Sequence, residues 1–244
     1  MNDEQRLEAT RDRLQDIHAR YGAVVLANSL GAEDMVLTDL TARLGLPFGV
    51  FCLDTGRLPS ETYDLLDRLP EHYPALTLSV YYPDAEALAA WVGQHGVNAF
   101  YRGVELRQAC CHLRKVEPLA RALAGQQAWI TGMRREQSST RSELPFEAFD
   151  DDHGLMKFNP LADWQEADVW RYIREHQVPY NALHDKHYPS IGCAPCTRAI
   201  AVGEDLRAGR WWWETNAPKE CGMHCAIETG GLEHELRALV SDAD

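Results

Sequence analysis

Two pairs of cysteines carry the most specific chemistry in this 244-residue chain. "RQACCHLRK" (107–115) sets Cys110 beside Cys111, and "SIGCAPCTRA" (190–199) supplies Cys193 and Cys196 with two residues between them. Adjacent cysteines rarely bridge each other, because the peptide between them must strain to meet disulfide geometry. A C-x-x-C turn lets two thiolates face one metal centre, as in zinc and iron–sulfur sites. The same spacing serves thioredoxin-like redox pairs, but those are expected beside a βαβ start, whereas this one lies late in a Gly/Pro-rich turn. Cys110, Cys111, Cys193 and Cys196 together supply a complete set of four thiolates. Neighbouring cysteines close awkwardly around one zinc ion, whereas the irons of a cubane sit at separate corners. The spacing therefore favours a cluster and leaves zinc open.

A fifth cysteine has the setting of a nucleophile. In "KECGMHC" (219–225), Cys221 lies between charged residues and a glycine. A reactive thiolate needs a nearby cation or dipole, which Lys219 and His224 offer in sequence, and Lys115 or the arginines in space. Cys225 reads as a resolving thiol or as a residue without a role, and Cys52, in an apolar strand, as core.

Basic residues are few but bunched. The chain has 37 acidic against 24 basic side chains and a net charge of −13. That balance opposes a general role in coating nucleic acid, which needs a basic face. Yet basic residues gather in "MRREQSSTR" (133–141) and "RAGR" (207–210), as expected of a site that focuses a small anionic ligand. Arg134, Arg135 and Arg141 offer forked donors suited to phosphate or sulfate oxygens. Two further loops fit the same purpose. "NSLGAED" (28–34) turns from a strand into a helix whose N–H groups would favour an anion, and "LDTG" (53–56) ends the next strand with groups suited to adenine or ribose. Each loop alone is also explained as turn geometry.

The elements that must position these residues follow from hydrophobic patterning. Apolar spacing predicts a helix over 3–20, and short apolar runs predict strands at 23–29, 48–56, 75–82 and 128–133. Helices are expected over 33–44, 60–69 and through Trp91, with a long helical stretch around the paired cysteines. "LMKFNPLADW" (155–164) predicts a strand and turn, and 165–176 a helix. Alternating strands and helices specify βαβ units on a parallel sheet, with ligands at the carboxyl ends of the strands. No apolar run is long enough to cross a bilayer. The polar start lacks the apolar segment of a secretory signal, so the cytoplasm is expected.

Six segments in order, "NSLGAEDMVL", "LDTGRLPSETY", "CCHLRKVEPL", "GMRREQSSTR", "SIGCAPCTRA" and "KECGMH", resemble the assimilatory adenylyl-sulfate (APS) reductases of the APS/PAPS reductase family. The resemblance covers nearly the whole chain. It implies an α/β fold with a parallel twisted sheet flanked by helices (adenine nucleotide alpha-hydrolase-like) and a mobile C-terminal segment. Residues 1–200 would form the nucleotide-binding part with the cluster site, and 201–244 would carry the catalytic cysteine. The implied activity is reduction of adenosine 5′-phosphosulfate to sulfite and AMP, with thioredoxin or glutaredoxin as electron donor, in sulfate assimilation and cysteine biosynthesis. Neither nucleic acid nor a membrane is implied as a partner, and homo-oligomerisation is left open.

By motif, Cys221 would be the nucleophile of the E-C-G-x-H signature. Cys110, Cys111, Cys193 and Cys196 would ligate one 4Fe–4S cluster, and Lys115 would bridge electrostatically between cluster and substrate. Arg207 and Arg210, in "RAGRWWWE", resemble the residues that hold the nucleotide's anionic groups. Ser29, Gly31, Leu53, Thr55 and Gly132, with Arg134, Arg135 and Arg141, would line the adenylyl site. Family members acting on the 3′-phosphorylated nucleotide generally lack the four cysteines, which favours the unphosphorylated substrate here. Related ATP pyrophosphatases read S-G-G-x-D-S at the first loop. Here Leu30 replaces a glycine and Asp34 the last serine, which suits a nucleotide bound without cleavage at its α-phosphate. Met223 stands where leucine or isoleucine is usual. The rival readings are a 3′-phosphoadenylyl-sulfate reductase, an RNA-thiolating enzyme, and a zinc-stabilised nucleotide-binding protein without catalysis.

Overall fold

Alternate side chains along the strands face opposite ways, and here both faces are apolar, so the sheet must be covered on both sides. The computed structural model describes residues 2–138 and 141–214. Its six strands are β1 (Val24–Ala27), β2 (Gly49–Leu53), β3 (Leu78–Tyr81), β4 (Ala128–Ile130), β5 (Glu147–Asp150) and β6 (Leu155–Phe158). They lie in the order β3-β2-β1-β4-β6-β5. All neighbouring pairs are parallel except β5 with β6.

One face carries Val24, Leu26, Val50, Cys52, Ala128 and Ile130. It packs on α1 (Asp3–Arg20), α2 (Ala32–Arg43), α3 (Ser60–His72) and α7 (Glu166–His176). The other face carries Val25, Ala27, Phe51, Leu53 and Trp129 and packs on α6 (Glu117–Leu123). A third apolar cluster lies beside the sheet. It joins α4 (Ala85–His95), α5 (Val104–Cys111) and the 193–213 region around Trp91, Phe100 and Trp211.

Between α5 and α6 the helix widens into a π-helical turn, His112–Val116, so 104–123 runs as one helical rod. Such turns hold side chains at angles that a regular helix does not reach, often at functional sites. This one buries both Arg114 and Lys115.

Two expectations are corrected. The α3 helix continues past Leu69 through Pro70 to His72, closed by the Tyr73 N–H on the Leu69 carbonyl at 2.8 Å. A proline costs a helix its own N–H, yet the turn beyond it keeps its bond. The strand β5 was not expected. Its "EAFD" alternates between exposed and half-buried positions, and an edge strand with one wet face leaves little apolar signal. Residues 207–214 pack back onto the body, whereas 201–205 are exposed. The Trp211 N–H bonds the Cys196 carbonyl at 3.2 Å, and a buried pair joins Arg107 to Glu214 at 2.8 Å. Lys219, Cys221, Met223, His224 and Cys225, with the remainder of the expected C-terminal segment, lie outside the described residues.

At the carboxyl edge of the sheet, one carboxylate ties two loops together. Asp34 accepts from the Ser29 N–H at 2.8 Å, the Ser29 hydroxyl at 2.6 Å and the Gly132 N–H at 3.0 Å. Gly132 has to be glycine, because a Cβ there would lie 2.8 Å from Glu33 Cβ and closer still to the Asp34 carboxylate. Gly132→Ala is expected to cost about 1–3 kcal/mol by forcing α2 away from β4, measured by urea unfolding. Burial pushes the Asp34 pKa up to about 6, against the pull of the Ser29 and Gly132 donors. A carboxyl raised in the folded state favours folding while protonated. Its contribution is full below about pH 4, the unfolded value, and is lost as pH rises through about 6. Carboxyl ¹³C spectra should show one titration with a midpoint near that value, missing from Asp34→Asn.

Candidate active site

A cavity of about 230 Å³ opens at the carboxyl ends of β1, β2 and β4. It receives Ser29 and Gly31 from the first loop, Leu53 and Thr55 from the second, and Gly132, Arg134 and Arg141 from the third. Lys115 reaches it from the π-helical turn, and Arg207 and Arg210 from the C-terminal side. Arg135 alone among the expected binding residues does not line it. Its guanidinium donates to the Leu144 carbonyl at 2.8 Å and lies over Phe146. It follows Arg134 directly, so the extended backbone at Arg134 turns the two side chains apart.

The first loop is not a phosphate cradle. The N–H groups of Ser29, Leu30 and Gly31 are bonded to Asp34, to Asn28 Oδ1 at 2.6 Å and to the Ser29 hydroxyl at 3.3 Å. Leu30 holds a left-handed backbone, φ +65°. That conformation is costly for leucine, and the side chain offsets it by being buried in the main core. Asn28, whose amide also donates to Thr38 at 2.9 Å, is a loop-shaping residue that sequence reasoning missed. Its only signal was a polar residue at the end of an apolar strand.

The arginine loop is likewise braced from within. Arg134 is paired with Glu33 at 2.7 Å and Glu136 at 2.9 Å, and Gln137 bridges Glu33 and Arg141 at 3.0 and 2.6 Å. The wall formed by Glu33 is therefore rich in carboxylate. The cationic wall lies at Lys115, Arg207 and Arg210. Arg210 donates to the Ile191 carbonyl at 3.3 Å and stacks 4.7 Å from the Trp211 ring. Gly192 is needed beside it, because a Cβ would come within 2.6 Å of the guanidinium carbon.

The cysteines lie behind that cationic wall. Cys110, Cys193 and Cys196 are buried in the third apolar cluster, and Cys111 packs against it half-buried. The C-x-x-C turn is pinned by the Ala194 N–H on the Arg57 carbonyl at 2.8 Å and by the Tyr101 hydroxyl on the Pro195 carbonyl at 2.7 Å. Thr55 Oγ1 is 3.2 Å from Cys193 Sγ, so one threonine touches both the cavity and the cysteines. Burial pushes the Cys196 thiol up to about 12, reinforced by Cys193 and opposed by Lys115 and Arg210. Burial raises Cys110 as well, while Arg114 works the other way.

Thiols in such a place stay neutral unless a cationic centre takes their protons' place. A metal centre with four thiolate ligands fits this donor set. Among the described residues, no three His, Cys, Asp or Glu groups are arranged to hold a single ion.

Comparisons with known proteins give the family. Residues 23–199 match the family model described as "Phosphoadenosine phosphosulfate reductase domain". The chain is 56% identical over 216 residues to a protein of Allochromatium vinosum named adenosine 5′-phosphosulfate reductase, covering 88% of this chain and 84% of that one. A protein of the same name from Neisseria meningitidis serogroup B is 51% identical over 220 residues, covering 90% and 89%. Among solved structures, phosphoadenylyl-sulfate reductase from Candida auris, in a phosphate complex, superposes with a TM-score of 0.67 at 30% identity, over 76% of this chain and 88% of that one. Yeast FAD synthetase in complex with FAD shares the fold, with a TM-score of 0.56 at 15% identity, over 81% of this chain and 67% of that one. No helix among the described residues is long and apolar enough to cross a membrane. The chain belongs to the phosphoadenosine phosphosulfate reductase family.

Proposed function

We propose that the protein reduces adenosine 5′-phosphosulfate to sulfite and AMP, within assimilatory sulfate reduction in the cytoplasm, and that thioredoxin or glutaredoxin supplies the electrons. One observation carries the reading: a nucleotide-sized cavity has a cationic wall backed by four cysteines, three of them buried and Cys111 half-buried. The adenine edge is assigned to the Leu53 end of β2, and the phosphosulfate to Lys115, Arg207 and Arg210. The names of the close relatives support the same substrate. Cys110, Cys111, Cys193 and Cys196 would hold one 4Fe–4S cluster. When bound, the cluster supplies fixed charge beside the cavity and no electrons, because thiols provide both.

Cys221 is the nucleophile in this proposal. Six residues separate it from Glu214, a reach of at most about 25 Å. Its thiolate attacks the sulfuryl sulfur, an S–S bond forms, and the bond from sulfur to the phosphate oxygen breaks, releasing AMP. Charge that builds on the departing oxygen is met by Lys115 and the two arginines. A donor thiolate then attacks the sulfur of Cys221 and expels sulfite, leaving a mixed disulfide. The donor's second thiol resolves that disulfide and returns Cys221 as a thiol. The donor ends oxidised to its disulfide, and the sulfuryl sulfur ends reduced to sulfite.

The test is sulfite release from the anaerobic protein with thioredoxin, comparing adenosine 5′-phosphosulfate with its 3′-phosphorylated form. Preferred turnover of the first supports the reading; preferred turnover of the second would assign the protein to the other substrate. Cys221→Ser should reduce sulfite release to below about a thousandth, as expected on removing a covalent nucleophile, while iron content stays at about four per chain. Cys193→Ser should instead lower the iron content, read by metal analysis and visible absorbance. Zinc in place of iron would overturn the cluster assignment.

A further inference from the structure

His184 lies in the cavity wall and belongs to none of the residues assigned above. It opens the short turn His184–Lys186, with its ring edge-on to Trp170 at 5.1 Å between centroids. Its Nε2 is buried and makes no hydrogen bond among the described residues. The ring does bond the backbone at Tyr188, in the sense that favours a protonated nitrogen. With Nε2 unpartnered, that nitrogen is Nδ1 donating to a carbonyl. Burial keeps the imidazole neutral, so Nε2 carries a lone pair and is an acceptor. Glu33 and Glu166 line the same cavity and lie close enough to act on the ring electrostatically. This wall presents acceptors to whatever the cavity holds.

We propose that Nε2 of His184 accepts a hydrogen bond from a ribose hydroxyl of the bound nucleotide. The inference rests on the proposed function, which places an adenine nucleotide here. Such a nucleotide has three neutral donors: its 6-amino group and its 2′ and 3′ hydroxyls. The amino group is assigned to the Leu53 end of β2, while His184 lies near Glu33 in the first turn of α2, so the hydroxyls remain. A phosphate replacing that hydroxyl would bring negative charge against a lone pair and two carboxylates. The same wall therefore acts as a specificity determinant by repulsion.

The test is calorimetric titration of the full chain with AMP, 2′-deoxy-AMP, 3′-deoxy-AMP and purine riboside 5′-monophosphate, which lacks the amino group. One of the two deoxy analogues should bind the wild type about three- to tenfold more weakly than AMP, the worth of one neutral hydrogen bond. His184→Phe should weaken AMP by a similar factor and erase that difference, and His184→Gln, which keeps an acceptor, should restore part of it. Independently of any variant, ¹⁵N spectra of the wild type should show the Nε2 resonance shifted by AMP and unmoved by the weak deoxy analogue. Equal binding of AMP and both deoxy analogues would overturn the inference, as would discrimination surviving in His184→Phe. A variant effect confined to the 6-amino comparison would overturn the ribose assignment. A wild type that binds the analogues but shows no role for His184 leaves the proposed function standing, whereas failure to bind AMP at all overturns both.

Discussion

Buried positive charge is the constraint on which the site depends. In a chain of net charge −13, Arg114, Lys115, Arg134, Arg141 and Arg210 are each more than nine-tenths buried. A buried cation costs several kcal/mol unless it is partnered. The fold meets that cost in two ways. Arg134 and Arg141 are enclosed by Glu33, Glu136 and Gln137, so they brace a loop. Lys115 and Arg210 line the cavity and lower the cost of negative charge at Cys196, and Arg114 does so at Cys110. In the proposed function, an anionic ligand and a thiolate-bound metal centre would draw on the same cations.

The scaffold explains why those groups meet. Parallel β1, β2 and β4 end at one edge, and each contributes a loop to the cavity. Asp34 ties the first loop to the third and takes both Ser29 donors, while Asn28 and the Ser29 hydroxyl take the N–H groups of Leu30 and Gly31. The helical rod 104–123 carries the paired cysteines at the end of α5 and Lys115 in the π-helical turn that follows. Trp211 and the Arg107–Glu214 pair hold the 207–214 stretch against that rod. Lys115, the paired cysteines and the packing of 207–214 are thereby tied to one helical rod.

Much of this was legible in the sequence because the signals were local. The β-strands read as short apolar runs, the C-x-x-C turn by its spacing, and the basic residues by their bunching in an acidic chain. The fate of each arginine was not legible. Arg134 and Arg135 are neighbours of identical type, and only the backbone at that point sends one to the cavity and the other to Phe146. Asn28 and His184 escaped notice because their roles depend on partners distant in sequence or on the lack of one. The edge strand β5 escaped because half its residues face water, and α3 was ended too early because a proline in a last helical turn costs less than one in the middle.

The most direct measurement of the central claim follows labelled sulfur. The anaerobic full-length protein would be mixed with adenosine 5′-phosphosulfate labelled in its sulfur, with no thiol donor present, and the labelled peptide mapped. Label on Cys221, released as sulfite when thioredoxin is added, is the predicted result. Label absent from the protein while sulfite still forms, or label on a different residue, would contradict the account.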